Sequence, residues 1–229
     1  METKKYKLTD ETMTIYGRTL YRIEALRDFS DVKKGDKGGY IEKEENLSQN
    51  GNCWVYDNAM VYGNARVYDN AIVYGKAEVY GKAEVYHNAV VCGYARVRGN
   101  AKVCDNAKVC GDAKVFGNAN VYGNAMVYDN ANVYGNARIY GNAEILAKAV
   151  VCGDAEIASN SDYILFKNWW SSGRCFTWTR SNNMWKVGCF YGTGEELIEK
   201  AYKDSKLSGR EYERVVKYVE AILNNNTDV

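Results

Sequence analysis

From residue 51 to residue 158 the chain repeats a six-residue phrase eighteen times without an insertion, as in VYGNAMVYDNANVYGNARIYGNAE at 121–144. A short fixed period over so long a stretch restricts the fold to a stacked repeat. Aligned from Gly51, the third position is Ala in every hexad but the first, which has Cys53, and the fifth is Val or Ile in all eighteen. Side chains two apart on a strand share a face, so positions three and five point into one buried interior. Position one is Gly or Asp except at His87 and Ala147, and position two is mostly Asn. Such residues tolerate positive φ and mark a corner. Each hexad is therefore one short strand and one turn. The chain has no proline, which suits a backbone built on an uninterrupted ladder.

One corner per hexad suggests a solenoid of triangular section, with three hexads per coil and strands stacking eighteen residues apart. Eighteen hexads then give about six coils, roughly 29 Å long at the strand spacing of a sheet. The narrow bore admits only small side chains, and the period leaves the handedness open. The outward columns define three faces. One carries Trp54, Ile72, Val90, Lys108, Met126 and Glu144, flanked by a column containing Tyr56, Tyr74 and Tyr128. It is apolar for most of its length, and a contiguous apolar face usually contacts something. The candidate interface is therefore Trp54, Tyr56, Ile72, Tyr74, Val90, Met126 and Tyr128, covered by the chain's own C-terminal segment, a second copy or a protein partner. The other two faces juxtapose Glu78 with Arg96 and Glu84 with Lys102, as exposed cross-strand pairs do.

The pattern aliphatic, x, x, x, small, x, seen in VYGNAR at 61–66, resembles the hexapeptide-repeat superfamily of left-handed parallel β-helices, which includes many trimeric acyltransferases. The stretch YRIEALRDFSDVKKGDKGGYIEKEENLSQNGNCWVYDNA at 21–59 resembles more narrowly the YdcK-like branch. This resemblance spans about residues 6–158. It implies a mainly β fold, a single-stranded left-handed parallel β-helix of prism shape, and an activity of transferase type without an assigned reaction. Most hexads depart from the enzymes by placing Tyr after the aliphatic residue, where those favour Gly, Ala, Glu or Asp.

Residues 1–50 read as an N-terminal β cap that covers the open end of the helix. Strands are expected around 13–16 and 19–26, with a turn at 33–39 and with Ile41 and Leu47 in register with the buried third position. Residues 51–158 form the solenoid. Residues 159–225 form a small C-terminal α+β module, and 226–229 a frayed tail. In the module, DYILFKN, RCFTWTR and MWKVGCFY read as three strands, followed by two helices with capping boxes at Thr193 with Glu196 and Ser208 with Glu211. This β-β-β-α-α unit resembles a module of uncharacterised proteins from Firmicutes and their phages, which implies no activity.

Lys plus Arg total 30 and Asp plus Glu 29, so the summed charge points to neither nucleic acid nor an acidic membrane. No stretch approaches the apolar length of a membrane span, and a cytoplasmic location, bacterial or phage-infected, is expected. The seven cysteines include no CxxC pair and read as reduced thiols, with no metal site and no cofactor. In the C-terminal module Trp169, Trp170, Arg174, Trp178, Arg180 and Trp185 interleave aromatics with cations. Such a set could stack a nucleotide, although a sixty-residue sheet also needs large aromatics for its core. Hexapeptide acyltransferases resemble one another in using a His base. The single histidine, His87, is the catalytic candidate, but it stands at a turn and no orienting partner is evident beside it. No GxSxG, Walker, Rossmann or HExxH pattern occurs. The reading is a non-enzymatic scaffold or binding protein acting through protein contacts. The alternatives are an acyltransferase using His87, or a phage inhibitor that binds a host protein or sequesters a nucleotide signal.

Overall fold

The computed structural model describes residues 4–168, 170 and 173–225, and the chain divides into two units, Met1–Asp162 and Tyr163–Val229. In the first unit β1 (Tyr6–Ile15) and β2 (Arg18–Ala25) form an antiparallel hairpin, and β2 pairs antiparallel with β3 (Lys37–Ile41). The hairpin turns at Tyr16 and Gly17, both at positive φ. Among the described residues, eighteen two-residue strands follow, β4 to β21, from Trp54–Val55 to Glu156–Ile157, each at positions four and five of a hexad. Trp54 pairs with Ile72, Met60 with Glu78 and Arg66 with Glu84, all in parallel. The circuit is therefore eighteen residues, and the three sheets are the three columns that the period defines. Ala101 and Val103 are fully buried, as are their equivalents throughout the repeat.

Three details differ from expectation. The cap does not merely cover the solenoid; β3 is itself a rung, pairing in parallel with Met60–Val61. The stack therefore has about seven turns where six were expected. Ile41 pairs with Val61 and Leu47 bridges to Val67, which places both in line with the fifth position, not the third. That first circuit is two residues longer because the chain takes eight residues from Leu47 to Val55, where each later hexad takes six. Before Leu47 a 3-10 turn, Glu44–Asn46, stands in place of the tight corner without adding a residue. Asn46 is buried, and its Nδ2 donates to the carbonyls of Gly63 (3.1 Å) and Ala65 (2.8 Å). One coil further on, the same carbonyls of Gly81 and Ala83 receive backbone N–H groups from Asn64 and Arg66. The amide thus substitutes for a missing rung.

The corners divide their work differently from the expectation that positions one and two both supply positive φ. Only position one is left-handed, including Asp57, Asp69, His87, Asp105, Asp129 and Ala147, with φ between 54° and 58°. Position two instead builds an amide ladder. Asn52, Asn70, Asn88, Asn106 and Asn124 each pass Nδ2–H to the Oδ1 of the next, ending at Asn142, at 3.1 to 3.3 Å. A shorter ladder runs from Asn100 through Asn118 and Asn136 to Asp154. Asp at position one reaches up one coil, as where Asp105 Oδ2 accepts the N–H of Gly123 at 3.0 Å.

The second unit has four antiparallel strands among its described residues where three were expected: Tyr163–Lys167, Cys175–Thr179, Met184–Val187 and Phe190–Gly192. Gly188, at φ 55°, breaks the third segment in two. Helix α1 (Gly194–Asp204) begins with the expected capping box of Thr193 and Glu196. Helix α2 (Lys206–Asn225) starts earlier than its expected cap. Ser205 Oγ accepts the Ser208 N–H at 3.0 Å, so Ser205 is the cap and Ser208 lies within the first turn. Phe176, Trp178, Trp185, Leu197 and Val216 form the core. The expected tail at 226–229 lies outside the described residues.

Candidate functional site

His87 occupies a left-handed corner because a column of such corners runs along this edge: Gly51, Asp69, His87, Asp105, Gly123 and Gly141, one per coil. Stacking puts carboxylates on both sides of the imidazole. Nδ1 lies 2.9 Å from Asp105 Oδ1, Nε2 lies 3.9 Å from Asp69 Oδ2, and the His87 backbone N–H reaches Asp69 Oδ2 at 3.3 Å. This corrects the expectation that His87 lacks an orienting partner. The signal was present in the sequence, since adding or subtracting eighteen from 87 gives Asp105 and Asp69. The carboxylate of Asp105 can only accept, so Nδ1 carries the proton and the unprotonated lone pair of the neutral ring sits on Nε2. The N–H of Gly123 and then His87 hold the Asp105 carboxyl below its ordinary range, which keeps it an acceptor.

Aromatic rings flank this corner. Tyr86 meets the imidazole edge to face at 4.7 Å and stacks on Tyr68 at 4.9 Å. A bond to Cys104, together with burial, pushes the Tyr86 phenol above its usual value, while burial raises Tyr68 to about 12. Both hydroxyls thus remain protonated donors near neutral pH. An open groove of about 780 Å3 runs between the 3-10 turn and the first coil, lined by Glu44, Glu45, Gln49, Arg66, Tyr68 and Asp69. It reaches the carboxylate beside His87.

The candidate interface column is divided by the cap. Trp54 is 1% exposed and is packed by Tyr6 and Phe29 at 6.0 and 5.3 Å, so it presents no surface for a partner. Tyr56 is half-buried and donates to Asp31 at 2.7 Å. Ile72, Val90 and Met126 are half-buried and Tyr74 is exposed, while Tyr128 donates to Glu144 at 3.3 Å. Beside this strip Cys92 and Cys110 form a disulfide, with Cα atoms 4.6 Å apart. That corrects the reading of all seven cysteines as thiols. Residues eighteen apart stack directly, and the rung spacing falls within disulfide reach.

The aromatics of the second unit serve its core. Trp178 and Trp185 are cross-strand partners, each at most 2% exposed, and Trp178 Nε1 donates to Asn183 at 2.9 Å. Neither ring presents a face on which a nucleotide could stack. Trp170 is half-buried against Phe176 and Tyr212. Arg174 and Arg180 are exposed, and Trp169 lies outside the described residues. Among the described residues there is no group of three or more His, Cys, Asp or Glu able to hold a metal, and no helix is long and apolar enough to cross a membrane.

These features define a parallel β-solenoid built on hexapeptide repeats, with an imidazole held by a carboxylate at one corner. Comparison with known proteins narrows the repeat to a particular type. Residues 55–67 and 65–81 match the family model for the YdcK Beta solenoid repeat. A curated relative, "Uncharacterized acetyltransferase YdcK" from Escherichia coli (strain K12), is 40% identical over 62 residues, 24% of this chain and 19% of that protein. The chain thus spans about a fifth of the length of the relative it matches.

Proposed function

We propose that this protein is a rigid binding scaffold whose partly exposed apolar strip, Ile72, Tyr74, Val90 and Met126, docks a second copy of the chain or another protein. The observation that supports this reading is the strip itself. It lies on stacked, hydrogen-bonded rungs, so its side chains are held in a fixed array, and fixed apolar surface binds with little ordering cost. The location that suits it is a bacterial or phage-infected cytosol, where the partner of a phage-encoded form is a host protein. The test is the solution mass of the wild type beside an Ile72→Glu, Met126→Glu variant. A wild-type oligomer that falls to a monomer, with unchanged circular dichroism, supports the reading. An oligomer of unchanged mass in the variant, or a wild-type monomer that captures no protein through this strip, refutes it.

A second reading is acyl transfer, and the His87–Asp105 pair favours it. The curated relative is named an acetyltransferase, and a neutral imidazole with its Nδ1 proton engaged can take a proton from an acceptor amine or hydroxyl through Nε2. In an assay that detects transfer by the wild type, His87→Ala should abolish it, and Asp105→Asn should lower the turnover and shift its pH profile. Full activity in His87→Ala removes this reading.

A further inference from the structure

Lys5 is completely buried, which is costly for an ammonium group unless it is paired. Its Nζ lies 2.9 Å from the Cys53 carbonyl oxygen, 3.4 Å from those of Asn50 and Gly51, and 3.2 Å from Cys53 Sγ. The ring of Phe29 stands 5.1 Å from the same nitrogen. Three carbonyls account for the burial of a lysine here. They do not account for the thiol. Cys53 fills the one third-position site of the eighteen hexads that is not Ala, and that one site touches the buried amine. A methyl group would fill the bore equally well, as the other seventeen do.

We propose that Lys5 and Cys53 form an oxidation-triggered covalent crosslink, a sulfenamide between Nζ and Sγ, with a peroxide as the oxidant. Burial lowers the proton affinity of Lys5 and raises that of Cys53, while each offsets this effect in the other. At 3.2 Å the two groups can share a proton, and with that proton on Nζ the sulfur is a thiolate. The thiolate sulfur attacks one peroxide oxygen and the O–O bond breaks. The departing hydroxide takes the proton from the ammonium and leaves as water, and Cys53 becomes a sulfenic acid. The Lys5 amine then attacks the sulfenyl sulfur, the S–N bond forms, the S–OH bond breaks, and hydroxide leaves with an amine proton as a second water. Sulfur is oxidised by two electrons and the peroxide is reduced by two. One peroxide is consumed, two waters are released, and no further reactant is needed. Because both groups are buried, the reaction is slow and gated by local opening. The bond joins residues 48 apart in sequence, fastening the start of the N-terminal hairpin to the first coil.

The test uses the full chain treated with hydrogen peroxide and digested with trypsin without reductant. The expected result is loss of cleavage after Lys5 and a joined pair of peptides containing Lys5 and Cys53, about 2 Da lighter than their sum. Dithiothreitol should restore both peptides. The Lys5→Arg variant retains the charge and donors that satisfy the three carbonyls but cannot form the bond. It should give no joined peptides and should instead leave a Cys53 sulfenic acid that dimedone traps. Wild-type protein in which Cys53 proceeds to a sulfinic acid while trypsin still cuts after Lys5 would overturn the proposal. So would a Cys53 thiol that stays unreacted in peroxide over times long enough for its neighbouring backbone amides to exchange with solvent.

Discussion

The corner glycines allow the interlocked geometry to be tested with a single atom. Gly99 sits at φ +73°, and a Cβ placed there would lie 3.1 Å from both the N and the O of Gly117 in the next coil. Gly99→Ala therefore incurs the left-handed penalty of roughly 1–2 kcal/mol together with a contact against backbone that cannot rotate away. Opposing this, the unfolded chain loses about 0.4–1 kcal/mol worth of freedom. The net expectation is a loss of about 1–2 kcal/mol. Gly99→Asp carries the same Cβ, but the chain already shows the remedy. Asp105, at φ 58°, directs Oδ2 at the N–H above it. An aspartate at 99 gains the equivalent bond to Gly117, worth about 1 kcal/mol, and tolerates the left-handed region better than Ala does. Urea unfolding followed by circular dichroism at pH 7 should therefore rank wild type above Asp and Asp above Ala. If Ala matches the wild type, the stacked corners are looser than described; if Asp is no better than Ala, the carboxylate ladder contributes nothing.

Asn46→Ala leaves two buried carbonyls without a donor and should cost about 2–3 kcal/mol by urea unfolding, whereas removing the exposed, terminal Asn142 from its ladder should cost far less. Hydrogen bonds from Lys37 and then Arg22 depress Glu11 from its reference value of 4.5 to about 2, so the hairpin stabilisation it supplies is complete above 4.5 and is lost as pH falls from there toward 2. Glu11 is solvent-exposed and the effect is small; it should register as acid-induced loosening of the hairpin in hydrogen exchange, and Glu11→Gln should flatten that response. In the second unit Ser205→Ala should cost about 1 kcal/mol of thermal stability as a lost cap, while Ser208→Ala, inside the helix, should be near neutral.

The solenoid could be read from the chain because its constraint is periodic. An Ala or Val column eighteen residues long per circuit can be buried in only one way, and the pairings of Trp54 with Ile72 and Arg66 with Glu84 follow from it. What was not legible lay where the period breaks or where a side chain has two uses. Asn at position two is an equally good turn residue and ladder residue, and only the stacking of the coils brings the amides to 3.1 to 3.3 Å of one another. Ile41 and Leu47 pair twenty residues on because the stretch from Leu47 to Val55 is two residues longer than a hexad step, and nothing in the sequence before Gly51 marks that insertion. Trp54 reads as exposed from its outward position, yet Tyr6 and Phe29 come from segments with no repeat to fix their register. In the second unit the expectation that large aromatics serve packing is met at Trp178 and Trp185. The Gly188 turn was hidden because an apolar run with one glycine reads equally well as a single strand.

The same regularity that makes the fold legible bears on how a site could arise on it. In a stack with no insertions, every outward residue is held at a fixed distance from the residues eighteen before and after it, so a functional constellation can be made by substitution alone, without a loop to carry it. The corner column supplies an instance. Where five of its six positions hold Gly or Asp, His87 replaces the usual residue between two Asp neighbours, and the geometry that elsewhere ties Asp to a backbone N–H now ties Asp105 to an imidazole nitrogen. Its half-exposed ring carries no burial cost and needs only its orientation, which the Asp105 contact provides. Replacing Asp105 by Gly, the other residue native to this column, keeps the corner conformation and removes that orientation together with the bond to the Gly123 N–H, which most corners of the stack do without. An acyl-transfer reading requires such a variant to lose activity, whereas a scaffold reading requires it to bind as before; the two are therefore separable at one residue.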